Sequence, residues 1–154
     1  MMERWELEYS IYLSHYKEKM YATLTGRIDK AINFALILTG SAVFANFGGN
    51  MFFGAAVASL AALSFVGEFS RKSSEALRMS KEYHQLIINK GDYTEPDLSK
   101  AFSELNKTDS PVWNCLSVAA RNRTNLALYG KEKSHLEEYN TFDSIMSWLA
   151  GDKP

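Results

Sequence analysis

The sequence predicts an all-α membrane protein, a two-helix transmembrane hairpin joined to a cytoplasmic helical bundle. Three observations carry that expectation. Residues 31–67 run for thirty-seven positions without an Asp, Glu, Lys or Arg. The run divides into two apolar blocks of seventeen residues, AINFALILTGSAVFANF and MFFGAAVASLAALSFVG, separated only by Gly48-Gly49-Asn50. The basic residues gather on one side: Lys17, Lys19, Arg27 and Lys30 precede the first block, Arg71, Lys72, Arg78 and Lys81 follow the second, and the turn has no charge. As helices the blocks are roughly 25 Å long, a little under the ~30 Å hydrocarbon core, and Ile28 and Phe69 extend them. The charge asymmetry places both termini in the cytoplasm and the glycine turn on the far side.

A soluble bundle with this hairpin as its core is the competing reading, and the mean hydropathy of -0.23 suits it. Neither block has a wet face, however, because the polar residues are only Asn33, Thr39, Ser41, Asn46, Ser59 and Ser64. A helix apolar all round is either deeply enclosed or in lipid, and a chain of 154 residues has little material to enclose two. The expected organisation is an N-terminal amphipathic cytoplasmic helix (1–30), the hairpin (31–67), a cytoplasmic helical region (68–130), and a charged segment with an amphipathic C-terminal helix (131–154). No secretory signal is expected, since the apolar run follows a charged helical segment. A net charge of -1 gives no basic surplus for direct nucleic-acid binding. The single cysteine, Cys115, excludes an intramolecular disulfide and reads as a small apolar residue on a helix face.

In the N-terminal helix Trp5, Tyr9, Tyr12 and Tyr16 recur at spacings of four, three and four. Such a stripe either lies at lipid headgroups or packs on the protein's own helices, and the balance of acids and bases around it favours packing. Gly26 is expected to loosen this helix just before the membrane, where Arg27 and Lys30 mark the interface.

Within the hairpin the small residues fall on faces. Ala35, Thr39, Ala42 and Asn46 share one side of the first helix; Ala55, Ser59, Ala62 and Val66 share one side of the second, with Gly54, Ala58 and Ala61 beside it. Apolar solvent gives helices little drive to associate, so close approach over small residues is expected to supply the packing. Asn33, Asn46, Thr39, Ser59 and Ser64 either bond between the two helices or line a watery path once several hairpins assemble. Two helices cannot enclose a pore, so conduction requires an oligomer. Glu68, at the inner end of the second span, is either a hydrated interfacial residue or a charge at a pore mouth.

Beyond the membrane the second span is expected to continue unbroken from Glu68 to Lys90. Phe69, Ser73, Ala76, Ser80, Tyr83 and Ile87 form its heptad-like seam. Gly91-Asp92 ends it, Thr94 with Asp97 and Pro96 starts a short helix carrying Leu98, Phe102 and Leu105, and Ser110-Pro111 signals another running to Tyr129 and closed by Gly130. Arg121 and Arg123 are a candidate anion or partner contact against the ordinary reading of a solvated helix face. In the tail, Thr141 is the expected cap of a helix whose Phe142, Ile145, Met146 and Leu149 form a stripe with Trp148 beside it. The charged residues 131–139 are expected to let that helix reach outward. Shallow insertion in the inner leaflet and docking on a partner are both open, and the lack of flanking Lys and Arg favours docking.

The order of these elements, with Tyr83-His84-Gln85-Leu86, the Pro111 helix start, Ala119-Ala120-Arg121-Asn122 and Gly130, resembles the SLATT superfamily over about residues 9–130. These are two-transmembrane effector domains of bacterial nucleotide-second-messenger and related anti-phage systems, and similar effectors accompany some retron reverse transcriptases. The resemblance implies an effector that oligomerises in the bacterial inner membrane and permeabilises or depolarises it in abortive infection. It also implies a separate sensor, a reverse transcriptase or nucleotidyltransferase system, through which any nucleic acid acts only indirectly. The alternative is a non-conducting anchor that recruits a cytoplasmic complex. Enzymatic activity and a cofactor are not expected: His15, His84 and His135 are far apart in sequence, and there is no phosphate loop or nucleophile motif.

Overall fold

The computed structural model describes residues 3–44 and 50–152, and its described elements are all helical. Helix α1 (Arg4–Phe44) joins the N-terminal amphipathic segment to the first apolar block as one rod. At 1.5 Å per residue it is roughly 60 Å long. Helix α2 (Asn50–Gly67) returns alongside its apolar half, and α3 (Phe69–Asn89) continues alongside its amphipathic half. A short 3₁₀ turn at Lys90–Asp92, α4 (Glu95–Asn106), a second 3₁₀ turn at Asn114–Leu116, α5 (Ser117–Tyr129) and α6 (Thr141–Leu149) complete the chain.

Three hydrogen bonds set the antiparallel register of α1 and α3. The Ser73 hydroxyl donates to the Ala22 carbonyl at 2.8 Å, His15 Nδ1–H donates to the Ser80 carbonyl at 2.8 Å, and Arg4 donates to the Lys90 carbonyl at 2.8 Å. Gly26 permits the first of these contacts. A Cβ there would lie 2.8 Å from the Ser73 hydroxyl, so this glycine is a point of close helix approach within a continuous helix and does not loosen it.

The bundle has two apolar clusters. Leu7 and Ile11 of α1 meet Met79, Tyr83 and Leu86 of α3 and Leu98 of α4, far from the hairpin. Met20, Tyr21, Ala22 and Leu24 meet Ala76, Leu116, Ala119, Ala120 and Ala150 nearer to it. Each large aliphatic side chain buried this way contributes about 1.5–3 kcal/mol. The α3 seam faces inward as its spacing requires, with Ala76, Ser80 and Tyr83 buried and Phe69, Ser73 and Ile87 half-buried. The aromatic stripe of α1 is only partly covered: Tyr9, Tyr12 and Tyr16 are half-buried and Trp5 is exposed, while Leu7, Ile11 and Leu24 take the core positions.

Three local expectations are corrected. The second span does not run unbroken into α3, because Glu68 adopts a left-handed conformation between them (φ 47°, ψ 35°). Ser110-Pro111 does not open a helix. The Ser110 amide donates to the Glu18 carboxylate at 2.7 Å, Trp113 is extended, and α5 begins only at Ser117. The tail helix is capped by Asn140, whose side chain accepts from the Asp143 amide at 2.7 Å, so Thr141 is its first residue.

Candidate membrane-facing site

The hairpin faces outward over most of its surface. Phe34, Ile37, Leu38, Phe52, Leu63, Phe65 and Val66 are all exposed, and Phe65 is 84% accessible. Among the described residues one helical run, Met51–Asp92, is long and apolar enough to cross a membrane, with a mean hydropathy of 1.7 in its most apolar stretch and none of that stretch buried. The first block extends past the described residues, so Asn46 and the Gly48-Gly49 turn lie outside them.

The helices meet through the expected side of α1 but a different side of α2. On α1, Ala35, Leu36, Thr39, Gly40 and Ala42 are half-covered, which includes the small-residue side. On α2 the half-covered positions are Phe53, Ala56, Val57, Leu60, Ser64 and Gly67. Gly54, Ala55, Ala58, Ser59 and Ala62 are exposed, so the small-residue face of α2 turns away from α1. The reason is steric: with small α1 side chains opposite, the larger Phe53, Val57 and Leu60 fill the space between the helices. Gly54, Ala58 and Ala62, four residues apart, are left as an outward small-residue stripe.

The described polar residues of the α1 block are satisfied within their own helix. The Thr39 hydroxyl donates to Ala35 and Leu36 carbonyls, the Ser41 hydroxyl to Ile37, and the Asn33 amide to Asp29 at 3.1 Å. Asn33 and Ser59 are exposed and Ser64 is half-covered.

At the base of the hairpin lies the Glu68 break. The helical hydrogen bonding survives around it, since the Glu68 amide reaches the Ser64 carbonyl at 3.2 Å and Lys72 donates to the Glu68 carbonyl at 3.0 Å. One residue is therefore displaced without unwinding a turn. The Phe69 ring folds back over Gly67, in the space where any side chain at Gly67 would begin. The Glu68 carboxylate is exposed and paired with Arg71, which also reaches Glu75, and the Arg71 contact holds its pKa below the ordinary carboxylate range.

At the other end of the chain the tail folds back onto the bundle, and residues 131–139 do not carry it outward. Asn122, nearly fully buried, donates to the Glu137 carbonyl at 2.9 Å and accepts from the Glu137 amide at 2.8 Å. Asn125 donates to the His135 carbonyl, and Arg121 pairs with Glu137 through both carboxylate oxygens. Arg123 pairs with the buried Asp152 at 3.1 Å, and burial raises the Asp152 pKa. Both arginines proposed for anion or partner contact are thus engaged by acids of the same chain.

Helix α6 lies against the second 3₁₀ turn and the part of α1 nearest the hairpin. Met146 and Leu149 join the cluster that contains Ile28, whereas Phe142, Ile145 and Trp148 remain exposed at 62%, 53% and 59%. Its C-terminal carbonyls are held by Arg27, which donates to Trp148 at 3.0 Å and Leu149 at 2.8 Å. A cation at that end also complements the helix dipole. Sequence reading missed Arg27 in this role, because its partner lies 121 residues away.

A second feature without a sequence signal sits inside the bundle. Tyr83 donates to Asp109 at 2.6 Å, and Glu18, on the neighbouring turn, has one oxygen on the Ser110 amide and the other buried without a partner. Burial raises the pKa of Glu18 and of Asp109, and the Asp109 carboxylate nearby adds to the effect on Glu18. The Tyr83 phenol is pushed far above its ordinary value by burial and by Asp109.

No family model, curated protein or solved structure matches this chain. The functional reading therefore rests on the chain's own geometry and chemistry and, for a role in defence, on the resemblance of its sequence to SLATT effector domains.

Proposed function

We propose that this chain is a two-span protein of the bacterial inner membrane whose hairpins assemble side by side and permeabilise the bilayer, as an effector in anti-phage defence that a separate sensor holds inactive. The observation that carries the assembly reading is the exposed stripe Gly54, Ala58 and Ala62 on the uncovered side of an uncharged helix. Small residues four apart let two helix backbones approach closely in lipid, and this stripe is not used within the chain. Phe52, Leu63 and Phe65 nearby supply the lipid-compatible surface.

The cytoplasmic bundle supports the assignment of sides. It carries the basic residues around Lys17–Lys30 and Arg71–Lys81, in keeping with both termini inside the cell. Assembly, and not folding of one chain, is the controlled step, since a single hairpin has no interior through which ions can pass. The bundle is the natural receiver of a signal because α3 leads directly into the hairpin through Glu68.

The test is induced expression in cells lacking any partner, with a potential-sensitive dye and growth as readouts. The effector reading requires depolarisation and arrested growth. Unchanged potential with the protein retained in the membrane after alkaline extraction would instead leave a non-conducting anchor. Release by alkaline extraction would remove the membrane reading altogether.

A further inference from the structure

The outward face of α6 has no partner within the chain, although its other side is firmly seated. Phe142, Ile145 and Trp148 are three residues apart in succession and all more than half exposed. We propose that this face is an interfacial anchor that lies in the headgroup region of the inner leaflet, with Arg27 as its basic counterpart. The inference rests on insertion of the hairpin in lipid.

Position along α1 favours lipid over another protein. The C-terminal end of α6 is held at Arg27, close to the hairpin end of α1. The first turn of α6 places Asp143 near Cys115, and its last turn packs with Met146, Leu149 and Ala150 beside Met20, Leu24 and Ile28. Ala31, where the uncharged run begins, is one helical turn beyond Arg27. An aromatic residue at this depth is where Trp is enriched, with the ring against the acyl boundary and its N–H toward water.

Charge supplies the second argument. The tail sequence has no Lys or Arg from Thr141 to Asp152, with Lys153 just beyond, which on sequence alone favours a protein partner. The fold supplies the missing cation from another element. Arg27 is exposed and hydrogen-bonded to the Trp148 and Leu149 carbonyls, and Arg27, Trp148, Leu149 and Gly151 border one cleft. A guanidinium beside an exposed indole suits a lipid phosphate with its chain alongside the ring. Lys30, also exposed, lies one turn nearer the membrane.

Tryptophan fluorescence tests this directly in full-length protein reconstituted in phosphatidylethanolamine and phosphatidylglycerol vesicles. Trp5→Phe and Trp113→Phe leave Trp148 as the single reporter. The anchor predicts blue-shifted emission, loss of most of the signal to lipids brominated near the headgroup end of the acyl chain, and little quenching by aqueous iodide. Arg27→Gln should lessen the shift. A separate Phe65→Trp protein, with Trp148→Phe added to the other two changes, reports hairpin insertion. If Phe65→Trp is quenched by deeply brominated lipid while Trp148 is quenched only by iodide, the anchor is overturned and the hairpin stands. Protection of Trp148 from both quenchers would assign the face to a protein partner and also overturn the proposal. If Phe65→Trp is untouched by brominated lipid, the membrane reading itself fails. A nitroxide on Ile145→Cys in a Cys115→Ser background gives the same discrimination independently, through oxygen and aqueous-reagent accessibility.

Discussion

The ring of Phe69 occupies the space that a side chain on Gly67 would need, and Glu68 between them takes a left-handed conformation. Gly67→Ala must displace an aromatic ring, and overpacking of this kind costs about 1–3 kcal/mol. Unfolding in detergent micelles should show that loss, and adding Phe69→Ala should make the Gly67→Ala change nearly free. A double-mutant cycle without coupling would contradict the contact.

Glu68 itself is strained, since a residue with a Cβ pays for a positive φ that glycine adopts freely. Glu68→Gly is expected to raise the melting temperature by roughly 2 °C. Glu68→Ala keeps the strain and removes only an exposed pair with Arg71, so its melting temperature should stay close to that of the unaltered protein. Equal melting of all three would mean that the break carries no strain.

Much of this arrangement was legible in the sequence. The seam Phe69, Ser73, Ala76, Ser80, Tyr83 and Ile87 faces α1 because heptad spacing fixes one helix face regardless of what lies opposite. The break at Glu68 was not legible, as it depends on a ring folding over the preceding glycine. The face of α2 was misassigned because a helix apolar all round has no hydrophobic period to orient it. Ser110 looked like a helix cap, yet a carboxylate 92 residues earlier captures its amide. The tail, read as reaching outward, is fixed by Asn122, Arg27 and Arg123, contacts that only the folded chain brings together.

Asn122 holds the charged segment by both of its amide atoms. Asn122→Ala leaves the Glu137 amide and carbonyl without these partners and should cost about 1–2 kcal/mol. Hydrogen exchange over residues 131–139 should then accelerate while α3 remains protected. Unchanged exchange there would show that Asn122 does not pin the segment.

Glu18 and Asp109 should contribute stability to the bundle in mild acid that is lost toward neutral pH. Glu18 and Asp109 have raised folded pKa values because burial disfavours their ionised forms. The folded state therefore holds more protons than the unfolded chain between the ordinary carboxylate range and the raised values. Their contribution is complete below the ordinary values and is lost as pH rises through the raised ones. Glu18→Gln keeps an oxygen for the Ser110 amide and should flatten the slope of melting temperature against pH. A slope as steep as that of the unaltered protein would exclude Glu18 as its source.

The outward stripe of α2 gives the most direct test of the central claim. Ala58 is exposed and outside the α1 contact, so Ala58→Leu should leave the hairpin folded while blocking close approach between chains. The measurement is dye-reported membrane potential after induced expression of both proteins at matched membrane levels. The account predicts depolarisation by the unaltered chain and a preserved potential with Ala58→Leu. Equal depolarisation by both would contradict assembly through this face, and none by either would contradict permeabilisation.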